Sequence, residues 1–326
     1  MNSKVQVSII AAFVFSIISG TFLSCKTGDT VCERPCLVFL MEQYLQALVA
    51  HDPSGLPLAD NVRTVENTER IDVGDGLWMT ATAEPTEFEI YVADPVAGEV
   101  GFIGVIEENN LPTIVALRLK LVEGKITEID HLVVHNQTGD PLSPNMAKVR
   151  PAFLQPQFPS ERVPREQMYE AVNLYYEAVV QDNGSIAPFA EDCQRRENGR
   201  TTARKTAPEP GPPWDESNKF DVFARMGCSE QMDTGIWNSI TEIDHRRILA
   251  IDEEMGLVFA FSELVHDGTP EVLEITGVPG ITEWPNEHGA FDLQAAHIFK
   301  IRNGRIHEIE AIGYKAPHGV KSGWKE

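Results

Sequence analysis

Three polar residues in the C-terminal half of this 326-residue chain stand among apolar neighbours in a pattern that could support proton transfer: His245, Arg247 and His297. Read as strands, the sequence puts His245 and Arg247 on one face with Ile243, Leu249 and Ile251, and His297 on one face with Ala295, Phe299 and Ile301. A titratable group on an apolar face has its pKa moved by desolvation, which makes it usable as a general acid or base. His297 or His245 would then be the acid or base, and Arg247 a clamp for a developing oxyanion. Arg247 also has a purely structural reading, as partner of a carboxylate such as Glu197 or Glu310. His131 shares a face with Thr127, Ile129 and Val133, where a lone histidine reads first as a hydrogen-bonded core residue.

Other candidates come in pairs. Glu66-Asn67 and Glu197-Asn198 could each be a general base beside an orienting amide, or a turn, because Asn tolerates left-handed backbone. Trp78 and Trp237 read as core first and as pocket wall second. Tyr44 and Tyr175 lie on helices facing a sheet, where a buried phenol needs a partner. The sequence contains no glycine-rich phosphate loop, no GxSxG elbow, no HExxH and no dinucleotide fingerprint, so neither a metal nor a cofactor is expected. With 49 acidic against 27 basic residues, the net charge of −22 repels phosphate backbones and argues against a nucleic-acid partner.

These pairs are symptoms of an internal repeat. YLQALVAHDPSGLPLADNVRTVEN, residues 44–67, aligns without a gap on YYEAVVQDNGSIAPFAEDCQRREN, residues 175–198. Further matches follow in the same order: Gly76-Leu77-Trp78 on Gly235-Ile236-Trp237, residues 94–100 on 252–258, and LKLVEGKITEI, residues 119–129, on FKIRNGRIHEI, residues 299–309. Apolar residues at helical spacing predict helices over 36–51 and 169–180. The period then changes to two, at Phe88, Ile90 and Val92 and again at Val115, Leu117, Leu119 and Leu121, before a hairpin turn at Glu123-Gly124. Each half is therefore expected to be a helix, short connecting elements and a meander of strands. In this alignment Thr86, Phe88, Ile90 and Val92 answer the face carrying His245 and Arg247, so the second half is expected to hold the polar, working pocket and the first an oily one.

A helix ending in His51-Asp52 or Asp182-Asn183, and a terminal hairpin with a G-K/R-I-x-E-I core, resemble the nuclear-transport-factor-2-like (NTF2-like, SnoaL-like) superfamily over residues 36–134 and 166–315. The duplicated arrangement, with Cys32-x-x-x-Cys36-Leu37 at its start and Ser322-Gly323-Trp324 at its end, resembles a family of secreted fungal and bacterial proteins. The resemblance implies an α+β fold of two tandem NTF2-like cones, each a curved antiparallel sheet wrapped around an N-terminal helix. It implies a conical pocket for a small organic molecule, apolar or weakly acidic. Tyr175, Glu197, Trp237, Tyr44, Trp78 and His131 are the expected lining. The superfamily hosts both cofactor-independent isomerases, dehydratases or lyases and plain binding modules, so the fold leaves open an enzyme acting in the second cone or a non-catalytic cell-envelope lipoprotein, ligand-binding or structural. Such units often pair across their sheets, which implies either a pseudo-dimeric monomer or a homodimer.

The remaining sequence sets boundaries. One lysine precedes the uncharged run of residues 5–24, the pattern of a signal peptide over 1–24 and hence of export. Ser24-Cys25 after that run looks like a lipobox, with simple secretion and an uncleaved anchor as the other readings. The membrane would be met only through that signal or lipid anchor. If Cys25 is lipidated, Cys32, Cys36, Cys193 and Cys228 form an even set, whose simplest pairing is local, one bridge per neighbourhood; a metal site is the weaker competing reading, because no pair has Cys-x-x-Cys spacing and no histidine cluster sits beside them. The expected domains are 32–136 and 166–320, joined by a Pro-rich linker over 137–165 lying across the surface.

Overall fold

The computed structural model describes residues 32–204 and 221–325. The candidate signal peptide, Cys25 and most of the Pro-rich loop around Trp214 lie outside the described residues. The first helix, α1 (Arg34–Ala50), buries Leu37, Leu40, Met41, Tyr44, Leu45 and Leu48, the i, i+3, i+4 set that makes one apolar stripe. A proline in its first turn fits there because that turn needs no N–H donors, and His51 at φ 55° closes its end. A sheet follows from β1 (Leu58–Glu66) and β2 (Glu69–Ile71), then short α2 (Leu77–Thr80) and β3 (Ala81–Ala83). It continues with β4 (Glu89–Asp94), β5 (Glu99–Glu108), β6 (Leu111–Val122) and β7 (Lys125–Val134). The strand order is β2-β1-β7-β6-β5-β3, with β4 also paired to β5.

After α3 (Pro151–Leu154), the second half opens with α4 (Arg165–Val180). Then come β8 (Phe189–Glu197), β9 (Arg200–Arg204), the short helices α5 (Asp221–Ala224) and α6 (Cys228–Met232), β10 (Glu242–Asp252) and β11 (Leu257–Asp267). A separate two-stranded ribbon, β12 (Val272–Glu274) with β13 (Glu283–Pro285), precedes β14 (Ala290–Arg302) and β15 (Arg305–Pro317). The second sheet runs β10-β11-β14-β15-β8-β9. The architecture is α+β with two large curved sheets, but they are mixed rather than antiparallel: β1 runs parallel to β7, and β8 to β15. The first strand of each half enters beside the last, and the two point the same way, a relation that a run of hairpins read from sequence does not reveal.

Three main cores result. Each long helix packs on one face of its own sheet. The third core lies between the sheets, where Phe88, Ile90, Val92 and Ile103 meet Leu257, Phe259, Phe261 and Ile298. Phe88, Ile90 and Val92 therefore do not line the first half's helix-bearing face, contrary to expectation. Residues 137–165 are more than a surface strap: Met146, Val149 and Phe153 are buried in that third core. Arg150 bonds Glu308, Glu310 and the carbonyl of Ile309. Both local disulfides are formed, Cys32–Cys36 and Cys193–Cys228.

Candidate functional site

A cavity of about 1060 Å³ opens in the second half, between α4, the concave face of the sheet and the β12–β13 ribbon. Tyr175, Tyr176, Glu197, Trp237, His266 and His297 stand on its wall among Ile240, Ile243 and Leu264. Its outer wall is an insertion. In the first half β5 turns into β6 through Asn109 and Asn110, both at positive φ, the conformation that suits a two-residue hairpin turn. In the second half β11 and β14 are paired as far as Asp267 and Ala290, and residues 268–289 intervene. Leu273, Ile275 and Val278 of that insertion share a small core with Phe223 and Ile236, and Trp237 packs against it.

His297 is buried on β14 and ring-stacked with Phe299 at 5.6 Å. Its Nδ1 is 3.5 Å from the Tyr176 hydroxyl, a contact at the long limit of hydrogen bonding. Burial, with the positive charge of Arg195 adding to it, pushes the imidazole down to about 3, so it is neutral at physiological pH. Across the ladder His297 faces Ala311, whereas the same two positions in the first half are Leu117 and His131. The histidine has changed strands between the halves. His131 lies 2.7 Å from the Tyr44 hydroxyl through Nε2 and 3.1 Å from Glu66 through Nδ1, and Glu66 also accepts from the Leu77 amide. Tyr44 and Trp78 are buried in edge-on contact. Tyr44, His131 and Glu66 thus form one hydrogen-bonded chain inside a packed core.

The three residues expected to converge do not share a cavity. His245 and Arg247 line a separate cavity of about 30 Å³ between the halves, with Asp130, His131 and Trp324. Both Nη atoms of Arg247 donate to Asp130, and the Trp324 ring lies 4.6 Å from its guanidinium. Burial opposes ionisation of Asp130, yet Arg118 and Arg247 hold its carboxyl below the usual range. The cause of the misplacement is a bulge. His245 has φ 51°, and the pairing of β10 shifts between Asp244 and Arg247. One extra residue reverses which side chains face which way. Arg246 consequently turns toward α4, where it pairs with Glu177 and lies over Tyr176. The repeated asparagines serve as turns: Asn67 and Asn198, at φ 56° and 46°, bond the backbone of Val133 and Gly313.

One residue beside the cavity escaped the sequence reading. Arg195 is fully buried and pairs through Nε with Glu197 at 2.8 Å, and its guanidinium lies 4.6 Å from the Trp237 ring centre. The signal was the alternation Cys193-x-Arg195-x-Glu197, which puts a cation and an anion on one strand face; Thr64 holds the matching place in the first half. Burial raises the Tyr175 phenol, and Arg195 beside it pulls the other way. Among the described residues no group of histidine, cysteine and carboxylates is arranged to hold a metal ion.

A family model described as "Domain of unknown function (DUF8021)" matches residues 161–313, the second half. No curated protein matches the chain. Among solved structures, a putative polyketide cyclase from Silicibacter sp. aligns at 15% identity, covering 46% of this chain and 90% of its own, with a TM-score of 0.28. A putative SnoaL-like polyketide cyclase from Jannaschia sp. aligns at 11% identity over 49% and 90% of the two chains, with a TM-score of 0.28. A de novo designed NTF2 fold protein aligns at 18% identity over 32% and 88%, with a TM-score of 0.26.

Proposed function

We propose that this chain is an exported small-molecule-binding protein built from two tandem NTF2-like cones, with its ligand site in the second. The equivalence of the halves is supported by their matching strand connections and by the Asn67 and Asn198 turns, which bond corresponding backbone. The observation that carries the functional reading is the contrast between the cones. The first is filled by the Tyr44–His131–Glu66 chain, while the second holds a cavity of about 1060 Å³ with apolar walls and a few convergent polar groups. The ligand is a small, largely apolar organic molecule. Export rests on the uncharged run before Ser24-Cys25, and a lipid on Cys25 would make this an envelope-anchored binder.

The second reading is a cofactor-independent isomerase, dehydratase or lyase working in the same cavity. The presence of His297 and Tyr176 at its wall favours it. Against it stands the basicity of His297: a base whose conjugate acid titrates near 3 takes up protons poorly at neutral pH. Binding without turnover is therefore preferred. A native mass spectrum of the mature protein, taken after exposure to an extract of its source, is expected to retain a small molecule in the wild type and to lose it in His297→Ala. A wild type that retains nothing and converts nothing in a product screen would remove the ligand-site reading.

A further inference from the structure

The cavity wall carries a second histidine, far from His297. His266 lies on β11 opposite Phe291, and Phe291 stands six residues before His297 on an uninterrupted stretch of β14. At about 3.4 Å of rise per residue the two imidazoles are roughly 20 Å apart along one face, and Leu264, Leu293 and Ala295 line the cavity between them. The His266 ring is stacked on Phe291 at 4.1 Å, and Lys315 Nζ lies over the same phenyl ring at 4.3 Å. Its Nδ1 is 3.1 Å from the Leu264 carbonyl. A carbonyl can only accept, so Nδ1 carries the ring proton and Nε2, at the edge away from the backbone, is a bare acceptor. Burial pushes the imidazole down to about 4, against the Leu264 bond, so the neutral ring is the form present at neutral pH.

The first half shows how an acceptor in this place is used. Continuing the alignment of residues 94–100 on 252–258 sets His266 on Glu108, and Leu111 opposite Glu108 answers Phe291 opposite His266. Glu108 takes its donors from the protein, the Thr80 hydroxyl at 2.9 Å and His135. The residues that answer those donors are Ser239 and Lys315. Ser239 stands on the cavity wall and Lys315 lies over Phe291, and among the described residues only Leu264 hydrogen-bonds His266. The acceptor is kept, and the place of its hydroxyl donor is open to the contents of the cavity. Nearby charge narrows that donor. Lys315 disfavours an ammonium, while an anion brings no proton and meets Glu283 and Glu287 on the ribbon side. Resting on the ligand-site reading and the equivalence of the halves above, we propose that His266 is a specificity residue of this cavity and that its ligand is an uncharged, mainly apolar molecule whose hydroxyl donates to Nε2. The apolar body lies along Leu264, Leu293 and Ala295.

The test uses the full mature chain and three probes on one apolar body: 2-naphthaleneethanol, its methyl ether and 2-naphthaleneethylamine, titrated by calorimetry against wild type and His266→Phe. The wild type is expected to bind the alcohol about tenfold tighter than the ether, the gain of roughly one hydrogen bond, and the ammonium more weakly than the alcohol. His266→Phe keeps a flat ring to stack on Phe291 but has no nitrogen, so it should bind the ether as before and lose the preference for the alcohol. Should that variant fail to fold, the wild type alone still decides: with its histidines labelled with nitrogen-15, the Nε2 resonance of His266 must move on adding the alcohol and stay in place with the ether. Equal affinity for alcohol and ether, or a preference that persists in His266→Phe, overturns the role of His266 and leaves the ligand site standing. Tightest binding of the amine overturns the uncharged class. Should no probe bind, the molecule retained in the native mass spectrum decides. A retained molecule without a hydroxyl, or one held equally by His266→Phe, overturns the proposal, whereas nothing retained removes the ligand-site reading itself.

Discussion

His297 and Ala311 face each other across β14 and β15, as Leu117 and His131 do across β6 and β7, and moving the imidazole by one strand changes its electrostatics. Beside Tyr44 and Glu66, His131 has a partner for each ring nitrogen. His297 has a single long contact among the described residues and lies near a guanidinium. Because its folded-state pKa is depressed to about 3 from the ordinary imidazole value of 6.5, the unfolded chain takes up a proton first as pH falls. Stability contributed by the neutral folded imidazole is thus present above pH 6.5 and is lost as pH drops toward 3, at no more than about 1.4 kcal/mol per pH unit. His297→Leu, the first half's residue, should flatten the fall in denaturation midpoint between pH 6.5 and 4; an unchanged profile would refute the assignment. His131→Leu is expected to act oppositely on the fold. It strips partners from Tyr44 and Glu66 and should cost about 2–3 kcal/mol in urea unfolding at pH 7.

At the scale of elements, the cavity depends on what the second half adds to the pattern of the first. Residues 268–289, with their own small core on Phe223 and Ile236, supply the wall that the Asn109-Asn110 turn leaves out. Replacing 268–289 by Asn-Asn should join β11 to β14 as β5 joins β6. The expected result is a folded protein, judged by circular dichroism, whose affinity for the small molecule retained by the wild type drops by about tenfold or more as apolar contact area is lost. Retained affinity would move the site deeper, onto α4 and β14 alone. The helices, the Glu123-Gly124 hairpin turn and both disulfides follow from local spacing and were legible in the sequence. The faces of β10 were not, because the bulge at His245 breaks the alternation from which they are read. That is why Arg247 was grouped with His297 although the two serve different cavities.

Across the whole molecule, the halves hold each other through reciprocal contacts. Asp94 accepts from Arg165 and the Ile251 amide, and Asp252 accepts from Arg34 and the Ala93 amide. Each pair joins the start of one long helix to the other half's sheet. Phe88, Ile90 and Val92 complete the apolar contact with Phe259 and Phe261. Trp324 closes one side by donating to Asp130 and lying over Arg63 and Arg247. With that face occupied within one chain, light scattering is expected to report a monomer; a dimer that disappears with an arginine at Val92 would contradict this. Asp94→Asn should cost about 2–4 kcal/mol, since it weakens a buried ion pair and leaves Arg165 without its anion. Calorimetric unfolding as a single transition in the wild type and as two in the variant would show that the halves depend on this contact.

The sequence alone determined the two stripe-bearing helices, the turn asparagines and the local cysteine pairs, all of which rest on spacing along the chain. It also put His297, Tyr175, Glu197 and Trp237 among the candidates that the cavity brings together. Only the tertiary structure decided that the sheets are mixed, that the large cavity opens on the second sheet, and that Arg247 pairs with Asp130 away from it. Those outcomes depend on which faces meet across the molecule. A single bulged residue can reverse a strand's faces without disturbing the composition or the period around it.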